Sequence, residues 1–358
     1  MNSRFKIQLN YVLLKHTQSG FTLIELLVAM SLTLLISAGA ATLFANTILS
    51  TRTLNSATAI NEESVRINAL LARHIRMAGY VDWLSNSSAI DAITINESAN
   101  SNSYNLKLAS QASMFQYAFA ADQTPASLAL VPPSLSGCEN SYLINGNFLK
   151  TDCSAAALNT VSALTVAYQV NANPVTGFSA ALPGLFSSNT GMSGDCGGQK
   201  TPVPYAVNRF FLKASTNSGQ KTGEPIIYDL MCLGNGNTIA QPLASNIQQW
   251  VVRYGVPASV AVNNTATTND AQITRYLTAT EVTTAGAWNQ VMAIRSCFLL
   301  VGERNSATIA KGQTNTTQSN RLDCLGNKML ISLDLRLRQA FTQTIALRNQ
   351  IHTPNLVN

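Results

Sequence analysis

The chain of 358 residues is too long for a single small scaffold and carries few charges. Charged residues make up 11% of it, under half the roughly 25% of an ordinary soluble domain, and hydrophobic residues make up 46%, which excludes charge-driven disorder and a coiled coil laced with salt bridges. The formal net charge of +6 is weak evidence for nucleic-acid binding, because Arg4, Lys6 and Lys15 lie in an N-terminal segment that is predicted below to be removed.

An uncharged run near the N-terminus predicts a membrane-spanning helix. Residues 26–45 read LLVAMSLTLLISAGAATLFA, and such a helix, at about 1.5 Å per residue, spans the roughly 30 Å hydrocarbon core of a bilayer. A cleaved secretory signal sequence is the alternative, but its apolar region runs only about 7 to 15 residues and precedes a small-x-small cleavage site. Since basic residues precede the run, the start of the chain is expected in the cytoplasm and the remainder on the exported side.

One acidic residue, Glu25, lies in this apolar surface. A carboxylate there is costly and is therefore a functional candidate by default. It ends the string Lys15-His-Thr-Gln-Ser-Gly20 and Phe21-Thr-Leu-Ile-Glu25, which resembles the processing site of type IV prepilins. The resemblance implies that a prepilin peptidase cuts between Gly20 and Phe21 and methylates the new amine of Phe21.

Cleavage would create an amine at Phe21 close to the carboxylate of Glu25. A buried amine and a buried carboxylate are each costly alone but tolerable as a pair. We therefore expect Glu25 of one subunit to pair with the Phe21 amine of a neighbour and to set the register of the helices. The alternative is that Glu25 only stabilises the positive N-terminal end of its own helix.

The apolar run is predicted to belong to one long helix, from about Thr22 to about Ala78. No proline occurs before Pro125, Gly79 is a plausible C-cap, and Gly39 is a candidate bend. Residues at three- and four-residue spacing predict the face of the C-terminal half that packs on a globular domain: Val65, Ala69, Ala72, Ile75 and Gly79.

After residue 80 the chain changes to short β-like runs separated by Asn, Ser, Thr, Gly and Pro. The predicted strands are 90–95, 104–108, 114–119, 161–170, 205–213, 226–233, 247–256, 291–301 and 330–347. In the last run, leucines alternate with Asp334, Arg336 and Arg338, which predicts one solvated sheet face. Residues 234–236 read Gly-Asn-Gly and predict a turn, while residues 262–284 and 305–320 are predicted to be loops.

Four further segments resemble recurring segments of PilW-type minor pilins. They are RHIRMAGY at 73–80, QQWVVRYG at 248–255, WNQVMAIR at 288–295 and FTQTIALRN at 341–349. The resemblance implies an α+β, type IV pilin-like fold, in which a long N-terminal helix packs on an antiparallel sheet with long loops. It divides the chain into a leader peptide (1–20), a transmembrane and assembly half of the helix (21–52) and a periplasmic head that includes the second half of the helix (53–358).

The same resemblance implies assembly rather than chemistry. A minor pilin of this kind helps to initiate type IV pilus assembly and sits at or near the tip with other minor pilins, the major pilin and a tip adhesin. It supports twitching motility, adhesion or DNA uptake. We expect a single-pass inner-membrane protein with a periplasmic head before assembly, and a component of the pilus on the cell surface afterwards. Two alternatives are a minor pseudopilin of type II secretion, which shares the processing site and fold, and a pilus-associated receptor in direct contact with DNA.

All six cysteines follow the membrane helix: Cys138, Cys153, Cys196, Cys232, Cys297 and Cys324. An even count in an oxidising compartment predicts disulfides, and six cysteines allow fifteen pairings. We favour the sequential pairing, 138 with 153, 196 with 232 and 297 with 324, because each pair closes a loop of turn-like sequence. Zinc is the rival, but no Cys-x-x-Cys pair occurs and the mature chain has only His74 and His352.

No catalytic, cofactor-binding or metal-binding residue is predicted. The string GDCGG at 194–198 resembles the GDSGG loop of trypsin-like proteases with cysteine in place of serine, but that chemistry needs a histidine base oriented by a carboxylate. Residues 218–221 fit Ser-x-x-Lys, which is too short a pattern to indicate an enzyme, and no Walker loop, dinucleotide fingerprint or HExxH string occurs.

Overall fold

A helix of 55 residues, α1 (Leu23–Met77), begins the described part of the chain. The computed structural model describes residues 20–80, 95–97, 104–106, 133–142, 153–154, 160–170, 194–203, 205–216, 220–236, 239–258, 260, 272–307, 321–329 and 334–349. The chain divides into two compact units, Met1–Arg52 and Thr53–Asn358, so each unit contains part of α1. The predicted helix boundaries are correct to within one residue at each end.

Gly79 ends α1 as predicted. Its φ of 74° lies in the left-handed region that favours glycine, and its N–H donates to the carbonyl of Ala167 at 2.8 Å. The next residue, Tyr80, donates to the carbonyl of Met77 at 2.8 Å, which satisfies one of the last helical carbonyls. The C-terminal end of α1 is therefore fixed to the sheet by the backbone.

The buried face of α1 differs from the predicted one. Val65 is 68% exposed and Ala69 is also exposed, so the prediction is wrong for these two positions. The buried side chains are Ser56, Ile60, Ser64, Ile67, Leu71, Ala72, His74 and Ile75. A serine can take a core position here because its hydroxyl bonds locally: Ser64 Oγ donates to the carbonyl of Asn61 at 2.7 Å.

The head contains an antiparallel sheet of eight strands in the order β10-β9-β7-β6-β5-β4-β3, and β8 also pairs with β7. A separate pair is formed by β1 and β2. The strands are β1 (Ile95–Glu97), β2 (Tyr104–Leu106), β3 (Leu135–Cys138), β4 (Ala163–Gln169), β5 (Tyr205–Ala214), β6 (Tyr228–Gly234), β7 (Gln241–Pro257), β8 (Ile273–Leu277), β9 (Ala293–Val301) and β10 (Arg338–Ala346). The predicted α+β fold, a long N-terminal helix with an antiparallel sheet, is confirmed.

Strand β7 is the longest and lies at the centre of the sheet. One edge pairs with β9, while the other pairs with β6, then with Val161 beside Trp250, and then with β8. The ring of Trp250 stacks on Phe298 at 5.2 Å between centroids, and its Nε1–H donates to Ser296 Oγ at 2.9 Å. Trp250 and Phe298 belong to the same buried cluster as Leu71 and Ile75 of α1, so this face of the sheet packs on the helix.

Several predicted elements need correction. Part of the predicted loop 262–284 forms β8 and a short helix, α2 (Ala279–Thr284), which begins with a complete capping box between Thr278 and Glu281. Strand β3 was not predicted. The turn at 235–236 is present. The predicted strand 114–119 and most of the predicted loop 305–320 lie outside the described residues.

The predicted strand 330–347 is shorter in the structure, and its predicted solvated face is wrong. Of the described residues 334–347, Arg338–Ala346 forms the strand, and Leu335 has a φ of 49°, which an extended strand does not allow. Residues 330–333 of the prediction lie outside the described residues. Asp334 and Arg338 are buried instead of solvated. The physical reason is their ion pair, described below, which the alternation of residue types does not reveal.

Candidate assembly site

The first turn of α1 brings the predicted processing and assembly residues together. Thr22 acts as the N-cap, because the N–H of Glu25 donates to Thr22 Oγ1 at 3.3 Å and the N–H of Leu26 donates to the carbonyl of Thr22 at 3.2 Å. Thr22 Oγ1 also lies 3.5 Å from Glu25 Oε2, at the limit of a hydrogen bond. The carboxylate of Glu25 is therefore held in the first helical turn, where the helix dipole favours negative charge.

Gly20 and Phe21 lie directly before this turn, and both are exposed. Phe21 has an exposed fraction of 86%, so among the described residues nothing packs on its ring. This geometry is compatible with both sequence-based alternatives for Glu25. The contact with Thr22 represents the role within one helix, while pairing with the Phe21 amine of a neighbouring subunit stays a prediction.

The helix beyond Glu25 presents an apolar surface that no described residue covers. It is long and apolar enough to cross a membrane, and its most apolar window has no buried residue. Five hydroxyl groups of this part donate to helix carbonyls three or four residues earlier, at 2.6–2.9 Å: Ser31, Thr33, Thr42, Thr47 and Thr51. These bonds satisfy the hydroxyls inside the helix, as an apolar environment requires.

In the head, α1 is fixed to a loop formed by residues 302–307, called the anchor loop. Thr53 Oγ1 donates to the carbonyl of Ser306 at 2.9 Å, and the N–H of Glu303 donates to Ser56 Oγ at 3.2 Å. Ser306 Oγ in turn donates to the carbonyl of Glu303 and accepts from the N–H of Leu337. The first turns of α1 inside the head are therefore held by polar contacts.

Two ion pairs support the anchor loop. Arg304 donates to both carboxylate oxygens of Glu224 at 2.6 Å, and these hydrogen bonds lower the pKa of Glu224 to about 2. Arg338 donates to Asp334 at 2.7 Å. Burial alone would raise the pKa of Asp334, but the hydrogen bond and the charge of Arg338 outweigh that effect and lower it. Both carboxylates are therefore charged at neutral pH.

A buried polar chain lies near the C-terminal end of α1. Nδ1 of His74 lies 2.8 Å from Tyr168 Oη, which accepts from Asn208 Nδ2 at 2.9 Å. Asn208 Oδ1 then accepts from the backbone N–H of Cys196 at 2.7 Å. Burial, with a smaller contribution from the charge of Arg73, lowers the pKa of His74 to about 4, so the ring is neutral at physiological pH. The neutral His74 ring is therefore part of the buried packing of the head.

The structure pairs Cys138 with Cys153, Cys196 with Cys232 and Cys297 with Cys324, which are the three pairs favoured from the sequence. The cysteine of the GDCGG string is thus part of a disulfide. The neighbouring Asp195 accepts from the backbone N–H groups of Gly197, Gln199 and Gly236 at 2.9–3.0 Å. This string is a hydrogen-bonded turn. Within the described ranges, no group of three His, Cys, Asp or Glu side chains is arranged to hold a metal ion.

Sequence reasoning missed two polar groups of the head. The anchor loop falls at the beginning of a predicted loop, and its contacts with Thr53 and Ser56 span about 250 positions, which no local pattern reports. Arg253 and Arg295 face each other across β7 and β9, and this pairing depends on a register with an irregularity between Ile247 and Gln249. In the sequence, the only signal of this pairing is an arginine within an otherwise apolar predicted strand.

Comparisons with known proteins give two matches to family models. The model described as type IV pilus-assembly protein W matches residues 209–349, and the prokaryotic N-terminal methylation motif matches residues 15–41. Among solved structures, the type IV-like pilin TTHA1219 from Thermus thermophilus is 10% identical, with a TM-score of 0.24 over 53% of this chain and 80% of its own. No curated protein matches the chain.

Proposed function

We propose that the chain is a type IV pilus minor pilin of the PilW kind, as the two family matches support, and that it helps to initiate pilus assembly and sits at or near the pilus tip. Its partners there are other minor pilins, the major pilin and a tip adhesin. The family is a structural one, so the function is to form part of the filament rather than to catalyse a reaction.

One observation carries the proposal. The cleavage motif ending at Gly20 directly precedes an N-capped turn with Glu25, and this turn begins a helix whose apolar surface is left uncovered by the described part of the chain. A buried structural helix would hide such a surface, and exposed apolar area of this extent marks a membrane or protein interface. The second part of the same helix is packed in the head, so it connects the assembly segment to a folded domain.

The large head favours a place near the tip. Residues 53–358 form a unit with an eight-stranded sheet, and a head of this size is difficult to repeat along a narrow shaft. Before assembly, we propose a leader (1–20) in the cytoplasm, a membrane-spanning helix half (21–52) and a periplasmic head; after assembly, the protein is at the cell surface. Twitching motility, adhesion and DNA uptake are the processes that such a pilus serves.

Mass analysis of the protein recovered from membranes and from sheared pili tests the proposal. The mature chain is expected to start at Phe21, N-methylated, and to occur in both fractions. Deleting the gene is expected to lower piliation. Replacing Gly20 with a bulky residue should leave the uncleaved chain in the membrane fraction and remove it from pili, and a mature chain cut after residue 45 would contradict the prepilin assignment.

Two further measurements separate the alternatives. A type II pseudopilin would give the same mature N-terminus, but its deletion would abolish secretion of folded exoproteins and leave piliation unchanged. A DNA receptor would bind duplex DNA through its head with an affinity that falls steeply with salt. Absence of binding at low salt would remove that alternative.

A further inference from the structure

The outer face of the sheet, opposite the helix, carries two arginines that are cross-strand partners on neighbouring strands. Arg253 of β7 is the cross-strand partner of Arg295 of β9. Both point away from the core, because Trp250, Val252 and Tyr254 alternate with Arg253 and belong to the helix-facing cluster. Like charges directly opposite each other destabilise a sheet. Among the described residues, neither arginine forms an ion pair with a carboxylate.

Tyr276 of β8 orders this cationic pair. Its ring lies under the guanidinium of Arg295, with Cζ 3.7 Å from the ring centroid. Tyr276 reaches Arg295 across Gly255, its cross-strand partner on β7. A Cβ atom at position 255 would lie 3.1 Å from Tyr276 Cε1, so a side chain there would displace the ring. The absence of a side chain at Gly255 therefore allows the stack that holds Arg295 in place.

A second feature of the same face lies beside the arginines. Cys297 follows Arg295 by two residues on β9, so both side chains point to the outer face about 7 Å apart. The disulfide to Cys324 fixes a short loop, residues 321–329, over this position. Within the loop, Asp323 accepts hydrogen bonds from the N–H groups of Leu325 and Asn327. Gln249 of β7 joins the loop to the sheet, because it donates to Asp323 and accepts from the N–H of Cys324.

This fixed loop exposes two leucines. Leu322 is 52% and Leu325 is 40% exposed, although the loop around them is held by a disulfide and several hydrogen bonds. Apolar side chains on a rigid loop lose little conformational entropy when a partner covers them. The disulfide attaches this loop to β9 two residues from Arg295, and Arg295 and Tyr276 are of the residue types enriched at the centres of protein interfaces.

We propose that Arg253, Arg295, Tyr276, Leu322 and Leu325 form a docking surface for another protein of the pilus, which presents a carboxylate next to an aliphatic side chain. The carboxylate bridges the two guanidinium groups and removes their repulsion, and the aliphatic group covers the leucines. That the partner is a pilus protein rests on the proposed function. Exposed leucines favour a protein over a nucleic acid, whose recognition relies on extended basic surface and on aromatic stacking.

Photocrosslinking in piliated cells tests this surface with the full-length chain. A photoreactive phenylalanine analogue at Leu325 is expected to give a protein adduct whose attachment point lies within a few residues of an Asp or Glu. The double variant Arg253→Glu/Arg295→Glu should lower the adduct at least tenfold. The control Lys200→Glu/Lys213→Glu makes the same change of charge at exposed head residues outside the surface, and its adduct should stay within twofold of the unchanged protein.

Two further arms keep the result interpretable. If the double Glu variant does not fold, as judged by its melting in detergent, Arg253→Gln/Arg295→Gln replaces it, with at least a threefold loss of adduct expected. A Lys substitution at the identified acidic residue of the partner should restore the adduct to the Glu variant. An adduct that is insensitive to these charges, or one formed only with nucleic acid or lipid, would overturn the proposal.

Failure of the proposed function has a different signature. If the unaltered protein is processed but never found in sheared pili, the function is wrong whatever the crosslinking shows. If it is present in pili and the position-325 adduct is absent or insensitive to charge, only the docking surface is wrong.

Discussion

The two parts of α1 show how one continuous helix meets two environments. From Leu23 to Arg52 five hydroxyls bond to carbonyls of the same helix, and the large apolar side chains are exposed. From Thr53 onward, hydroxyls of Thr53 and Ser56 bond to the anchor loop, and apolar side chains pack on the sheet. The difference lies in where polar groups find partners, since both parts are helical and both contain Ser and Thr. In the exposed part, these hydroxyls need no partner outside the helix. In the head, Thr53 and Ser56 instead join the helix to a loop about 250 residues later.

The largest difference between the two units should appear on reduction, because all three disulfides lie in the head. In the chain-entropy model each contributes about 3 to 4 kcal/mol for loops of this length. Reduced head should therefore melt far below the oxidised protein, while the helicity of residues 23–52 in detergent stays unchanged. Circular dichroism and thiol titration measure this. Six reactive thiols in the unfolded, unreduced protein would contradict the disulfides.

The next largest effect concerns Glu25, which distinguishes the assembly segment from an ordinary apolar helix. If Glu25 pairs with the Phe21 amine of a neighbouring subunit, Glu25→Gln keeps the shape of the side chain but leaves that amine without its counter-charge. Breaking a buried ion pair costs about 3 to 5 kcal/mol, which corresponds to a loss of incorporation of two orders of magnitude or more. Leader cleavage should continue, since the motif at Gly20 is unchanged. Immunoblots of sheared pili and membranes measure both.

Normal incorporation of the processed Glu25→Gln protein would favour the role within one helix. The contact between Glu25 and Thr22 would then be the relevant one. In that case Thr22→Ala should lower incorporation by more than Glu25→Gln does, because it removes the N-cap itself.

A smaller effect should follow acidification of the head, through His74. Its pKa is 6.5 when unfolded and about 4 when folded, so the unfolded state binds the extra proton between these values. Stability is therefore full above pH 6.5 and falls by about 3 kcal/mol as the pH drops to 4. His74→Gln, which keeps a hydrogen-bond partner for Tyr168, should lose this part of the pH dependence. Urea unfolding at pH 7 and pH 4 gives the free energy of unfolding of both proteins. An equal loss of this free energy between the two pH values in both proteins would contradict a buried neutral His74 ring.

The smallest effect should be a gain of stability in the head. Arg253→Gln removes the repulsion with Arg295 but leaves the stack of Arg295 on Tyr276 intact. The expected increase in the free energy of unfolding is about 0.2 to 1 kcal/mol. The control Lys213→Gln also removes a positive charge from an exposed strand residue, and it should change the free energy of unfolding by less. A loss of stability in Arg253→Gln would mean that the arginine pair is a structural element.

What the sequence could predict depends on the range of the interactions. The ends of α1 follow from local signals, since Thr22 and Gly79 act on their own helical turns. Strand β8 and helix α2 were missed because their Thr- and Ala-rich sequence suggests a loop, although the capping box of Thr278 and Glu281 is visible in the sequence.

Other features could not be predicted, because they depend on contacts between distant segments. Asp334 and Arg338 look like the solvated half of an alternating strand until their ion pair is known. The burial of Ser56 depends on the anchor loop, about 250 residues later. The facing of Arg253 and Arg295 depends on the pairing register of β7 and β9. The processing residues were visible because they form a contiguous motif, and the docking surface was not.

The five hydroxyls between residues 31 and 51 that bond within the helix affect how the helix tolerates a change from lipid to neighbouring helices. Since lipid tails are as apolar as the side chains of a neighbouring helix, burial of apolar surface distinguishes poorly between the two. These hydroxyls keep the same carbonyl partner in either medium, so no hydrogen bond breaks when the segment moves from one to the other. If the segment exchanges a bilayer for a filament, as the proposed function requires, its hydrogen bonds and apolar burial are therefore similar in both, and neither direction of the exchange has to overcome a large energy difference from these groups.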